Sequence, residues 1–145
     1  MNEAMHYIRK KLFTVLNGNI TLNGSDVNVY NRVPTTASHP YIWIYSVSTN
    51  EIDQNQTTYN MECITRIECA TRFDSDVGGD LDANKLVNSC LSLLRTRASG
   101  YPDLTSDGFT IYTQTIESVN YVQEDEDDHT YFRGIIEISN RVQQN

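Results

Sequence analysis

The stretch Asp74-Ser75-Asp76-Val77-Gly78-Gly79-Asp80-Leu81-Asp82 comes nearest, in this chain, to the spacing of a cation site. Counted as a calcium loop of the EF-hand type, it places acids at positions one, three, seven and nine and Gly79 at position six. The twelfth position of such a loop supplies a bidentate carboxylate, and here it is Lys85. An ammonium group brings positive charge where the cation needs two oxygens. The stretch therefore reads as a strand-to-helix turn with acidic residues capping the helix. Metal-dependent phosphoryl chemistry at Asp74–Asp82 is the competing reading, and it requires a melting temperature that rises with a divalent ion.

A second acidic run, Glu124-Asp125-Glu126-Asp127-Asp128, ends at His129. Consecutive residues at a hairpin tip splay to opposite sides, so few of these carboxylates can converge on an ion. The run reads as a solvated or interface-facing loop. The three histidines, His6, His39 and His129, fall in no metal-ligand spacing. The chain also lacks a G-x-S-x-G elbow, a phosphate-cradling glycine loop and a C-x-x-C pair. Neither a catalytic residue nor a cofactor or metal site is expected, and the chain reads as a non-enzyme.

Cys63 and Cys69 lie on one expected strand, about 20 Å apart between Cα atoms. A disulfide tolerates no more than ~7 Å. With Cys90 on an apolar helix face, all three read as small buried hydrophobes of a reducing compartment. The net charge of −8 argues against a conventional nucleic-acid binder, which needs clustered cations to release counterions, and against docking on anionic membranes. The first residues carry no apolar run of the signal-peptide type, and nothing approaches the roughly 20 apolar residues of a membrane span. A soluble protein is expected.

Residues 39–47, HPYIWIYSV, carry the densest apolar surface. Alternation sends Tyr41, Trp43, Tyr45 and Val47 to one face and Ile42, Ile44 and Ser46 to the other. Both faces of this strand then need cover, from a helix, another sheet or another molecule.

The elements that must position these groups follow from periodicity. Met5, Ile8, Leu12, Val15 and Leu16 predict a helix over 3–17, stopped by Asn17-Gly18. A short strand within 27–33 ends at Pro34, and the strand 41–49 follows. Residues 50–58 read as an exposed loop. A half-exposed strand is expected over 59–73, with Glu62, Arg66, Glu68 and Arg72 on its wet face. Ala83, Leu86, Val87, Cys90, Leu91 and Leu94 predict a helix over 80–97, with Arg95 and Arg97 at its C-terminal end. Strands 108–123 and 129–142 form a long hairpin around the acidic run. The order α-β-β-β-α-β-β predicts one α+β domain over 1–145: an antiparallel sheet of about five strands with two helices over one face.

This arrangement resembles the tail-terminator or tail-completion proteins of tailed bacteriophages and their small neck-ring relatives. The features that carry the resemblance are the short first helix ending near Gly18, the small strand after it, and a loop closing on Pro40-Tyr41-Ile42-Trp43-Ile44. A long strand, an Ala/Leu/Val-rich helix after an acidic turn, and a closing hairpin complete it. The acidic hairpin tip and the polar loop 50–58 depart from the pattern.

The resemblance implies a structural virion protein in the tail or neck, assembled in the host bacterial cytoplasm. It implies a homo-oligomeric ring, a hexamer or a dodecamer, that caps the tail and joins it to the connector. Its partners are then the neighbouring connector and tail or neck proteins. DNA passes through without sequence-specific binding, and an acidic wall lowers its adhesion. The interface residues expected on this reading are Tyr41, Trp43 and Tyr45 toward a neighbouring subunit and Glu124, Asp125, Glu126, Asp127 and Asp128 toward the lumen or an adjoining ring. The alternative is a stand-alone module that holds a small molecule or peptide in a cleft edged by Tyr41, Trp43 and Tyr45.

Overall fold

A computed structural model describes residues 1–53, 56–96 and 100–145. Helix α1 (Met5–Leu16) buries Met5, Ile8, Leu12 and Leu16, the side chains whose spacing announced it. It is shorter than expected at both ends. The polar stretch after it contains a tight hairpin, β1 (Thr21–Leu22) and β2 (Ser25–Asp26), that the order read from sequence omitted. Asn23 and Gly24 turn it with φ of 51° and 86°. Two consecutive left-handed residues are what a two-residue hairpin turn requires, and Asn-Gly is the pair that adopts them most readily.

A sheet of five strands follows, in the order β3-β4-β5-β7-β6. Strand β3 (Asn28–Tyr30) pairs parallel to β4 (Tyr41–Ile52), which corrects the expectation of a wholly antiparallel sheet. The link of residues 31–40 is long enough to carry the chain back to its starting end, so adjacency in sequence no longer forces antiparallel pairing. Strand β4 also runs further than expected. Asn50, Glu51 and Ile52 pair with Glu62, Met61 and Asn60, so the first residues of the supposed loop 50–58 belong to the sheet. Gln54 and Asn55 of that loop lie outside the described residues.

Strand β5 (Tyr59–Asp74) pairs along its full length with β7 (His129–Gln144), from Tyr59 opposite Gln144 to Asp74 opposite His129. Strand β6 (Phe109–Asp125) joins β7 in a long hairpin and forms one sheet edge; it runs two residues further than expected, so Glu124 and Asp125 of the supposed loop pair with Tyr131 and Thr130. A single 3-10 turn at Thr105–Asp107 leads into it. Helix α2 (Leu81–Leu94) comes between β5 and β6 and ends before the expected Arg95, which occupies its C-cap. Arg97 lies outside the described residues.

Both helices cover one face of the sheet. Met5, Ile8 and Leu12 of α1 and Leu86, Val87 and Cys90 of α2 meet Ile42, Ile44, Ile67, Ile136 and Ile138 in one buried cluster. Each isoleucine fully removed from water contributes about 1.5–3 kcal/mol. Gly134 of β7 permits the close approach of α2. A Cβ there would stand 2.6 Å from Val87 Cγ2. Cys63, Cys69 and Cys90 are all buried free thiols, as expected. The Cys69 and Cys90 sulfurs lie 3.9 Å apart, and that contact together with burial raises the Cys69 pKa well above the ordinary thiol value. Among the described residues, no helix is long and apolar enough to cross a membrane.

Candidate functional site

The two faces of β4 have separate fates. Ile42 and Ile44 are fully buried beneath the helices, while Tyr41, Trp43 and Tyr45 stand half-buried on the helix-free side. The second face finds partial cover from its own chain. Trp43 and Tyr45 lean together with ring centroids 4.4 Å apart, and the Trp43 indole N–H donates to the Asn31 carbonyl at 3.2 Å. Tyr41 lies between Tyr30, at 6.0 Å, and His39, at 4.7 Å. The Tyr45 hydroxyl donates to Glu68 Oε2 at 3.5 Å. Burial, then the Glu68 charge, pushes the Tyr45 phenol above its ordinary pKa. The result is a ridge of aromatic rings, locked at several points but still presenting surface.

Beside the ridge runs a ladder of ion pairs across β5 and β7. Register sets Arg66 directly opposite Glu137 and Glu62 directly opposite Arg141. Their charged atoms meet at 3.0 Å and 3.4 Å. Arg133 reaches both Glu68, at 3.4 Å, and Glu124 of β6, at 3.2 Å. The wet face expected of β5 is present at Glu62, Arg66 and Arg72, whereas Glu68 is buried, and the charges pair across strands rather than along one. The Glu137 carboxylate accepts a hydrogen bond from Arg66 and holds that guanidinium above its ordinary pKa.

At one end of the sheet, pairing joins two acidic segments that lie far apart in sequence. Strands β5 and β7 end at Asp74 opposite His129, and the Ser75 N–H donates to the Asp128 carbonyl at 3.2 Å. Thus the turn from Asp74 and the tip Glu124–Asp128 share one pole. The tip acids are all exposed. Among the described residues, no three His, Cys, Asp or Glu side chains gather to hold a metal. Lys85 turns away from the acidic loop, its ammonium donating to Asn23 Oδ1 at 3.2 Å. Asp80 does occupy the N-cap of α2, but its side chain makes no capping hydrogen bond, contrary to expectation. Asp82 sits in the first turn, where its charge suits the helix dipole.

The aromatic ridge and the acidic tip connect through His39 and His129, read from sequence only as histidines outside any metal-ligand spacing, and through Tyr131, which the sequence did not single out. Tyr131 stands 5.5 Å from His39 and 6.4 Å from His129, with the Arg133 guanidinium 5.9 Å from its ring. The strip therefore runs from Tyr45 and Trp43 through Tyr41, His39 and Tyr131 to His129 and the tip. Burial, followed by the positive charges of Arg72 and Arg133, lowers the pKa of His39 below the ordinary value of 6.5. No local motif marks His39 and Tyr131 as neighbours; only the pairing of β4, β5 and β7 brings them together.

Scans against protein-family models and against curated proteins returned no match for this chain.

Proposed function

We propose that this chain is a structural subunit of a ring at the head-tail or neck junction of a tailed bacteriophage. In this reading it closes the tail, contacts the connector and lets DNA pass. The single observation that carries it is the one-sided build of the domain. Both helices cover one face of the sheet, and the other face presents a half-exposed aromatic ridge continuous with an exposed acidic tip. Aromatic and charged side chains spread along a sheet face suit a macromolecular neighbour rather than a small substrate. The long closing hairpin after α2 is a feature that the resemblance read from sequence also has, although the extra β1-β2 hairpin and the parallel pairing of β3 depart from the order expected.

The test is mass by light scattering over a range of protein concentrations, alone and with candidate connector and tail proteins, followed by electron microscopy of any large species. A closed ring is the expected outcome. A species that stays monomeric under every condition overturns it.

The aromatic ridge also favours a second reading, a module that holds a small molecule or peptide against Trp43. In that case Trp43 fluorescence changes with ligand while the protein remains a monomer.

A further inference from the structure

The sheet has two edges of opposite character. Among the described residues, no strand pairs with the outer side of β6 from Phe109 to Asp125. Proteins usually blunt such an edge with Lys, Pro or a bulge. The sequence of β6 contains no Lys, Arg or Pro. Its bulges fall between Ile111 and Thr113 and between Ile116 and Ser118, so Ser118–Gln123 is left as a regular open run. Within that run Tyr121 is 44% exposed on the helix side and Val122 is 39% exposed on the other. The charges along β6 are Glu117, Glu124 and Asp125, all exposed acids, and the acidic tip continues them.

The opposite edge is basic. There β3 is the terminal strand, three residues long, and α1 lies against it. Arg9 of α1 donates to the Asn31 and Ile44 carbonyls, each at 3.2 Å, and so blunts the free edge of β4. A bulge after Ser46 blunts it further. Exposed Lys10 and Arg32 flank this corner. On the helix side, His6, Arg9, Lys10, Phe13 and Asn31 line a groove of about 300 Å³.

We propose that the occupant of this basic edge is the β6 edge of a second copy of the chain. Resting on the ring reading above, this names the surfaces that would meet: acidic β6 on one copy and the α1–β3 corner on the next. Two different surfaces in contact make a head-to-tail interface, which closes into a ring by rotation. Pairing of two β6 edges by a two-fold axis is disfavoured, because it sets Glu117, Glu124 and Asp125 of both copies near one another. Tyr121 and the groove lie on the same, helix-covered side of the sheet, so an edge-to-edge approach can bring the ring of Tyr121 over Phe13. The outward amides of Ser118–Gln123 are shielded from water in the contact, although the blunted edge offers them no continuous strand.

The test uses two charge-reversed full-length variants, Lys10→Glu with Arg32→Glu, and Glu117→Lys with Asp125→Lys. None of these four side chains makes an ion pair in the described structure. In sedimentation velocity at low salt, each variant alone is expected to stay monomeric at concentrations where the parent associates. An equimolar mixture is expected to recover association, with slowed hydrogen exchange at Ser118–Gln123 and at the α1–β3 corner. Recovery by mixing cannot come from a variant that fails to fold. A parent ring unaffected by either variant overturns this interface and leaves the ring reading standing. A mixture that stays monomeric while the parent associates also overturns it. A parent and a mixture that both remain monomeric overturn the interface and count against the ring together.

Discussion

His39 shows how a residue with an ordinary local sequence acquires a specific electrostatic role. It sits between the rings of Tyr41 and Tyr131, and the charged groups acting on it are Arg72, Arg133 and His129. Burial and the arginine charges favour the neutral imidazole, so its folded pKa lies below 6.5. On acidification the unfolded chain takes up this proton first. The stability contributed by neutral His39 is complete above pH 6.5 and is lost as pH falls through the folded pKa. Replacing His39 with Gln should therefore flatten the fall in melting temperature just below pH 6.5, ahead of carboxylate protonation at about pH 4. Thermal melts across that interval check it. Equal slopes for parent and variant would rule out His39 as the titrating group. The aromatic strip loses no charge in this substitution, so the parent's mass distribution at neutral pH should be retained.

At the scale of elements, the contact between α2 and β7 depends on an absent side chain. Gly134 faces Cys69 across the ladder, and the space above it is filled by Val87, with Tyr121 Cε1 also 3.2 Å from the position of a Cβ. Gly134→Ala should destabilise by about 1–3 kcal/mol through overpacking, although alanine is the better strand residue by entropy. Adding Val87→Ala removes the opposing methyl, so the double variant should lose less than the sum of the single losses. Urea midpoints of the three proteins measure this. Additive losses would mean that the two residues do not share the space. The same contact marks what the sequence could disclose. The apolar stripe of α2 and the alternation of β5 were legible, because burial imposes a period on each element separately. Gly134 was not, since its reason lies in another element. The hairpin at Asn23-Gly24 has a strong local turn signal, but no apolar run flanks it to mark its two short strands. The parallel pairing of β3 had no local signal at all. Tyr41, Trp43 and Tyr45 were legible as one face of β4, whereas their connection to the acidic tip through His39 and Tyr131 exists only in the register.

For the whole molecule, the question is what the tip Glu124–Asp128 contributes, given that the fold makes little use of it. Its backbone closes the hairpin through the Glu126 N–H, which donates to the His129 carbonyl at 2.9 Å. Of its carboxylates, Glu124 pairs with Arg133 and Asp125 accepts from the Gln123 amide, both in exposed settings. An exposed pair of this kind contributes no more than about 1 kcal/mol, and Arg133 keeps Glu68 when Glu124 is removed. Concentrating like charge at one pole has a cost in self-repulsion that these exposed contacts offset only in part. On the ring reading proposed above, the tip faces a lumen that DNA traverses without adhering, or a basic surface on an adjoining subunit. Serine at all positions from 124 to 128 should leave the melting temperature nearly unchanged. On the proposed reading it should nevertheless impair particle assembly or slow DNA release. Complementation of a phage lacking the parent gene, scored by electron microscopy of joined particles and by DNA ejection, measures both. Normal particles with normal ejection would remove the tip from the interface and from the lumen alike, and would leave the aromatic ridge to carry the assembly reading by itself.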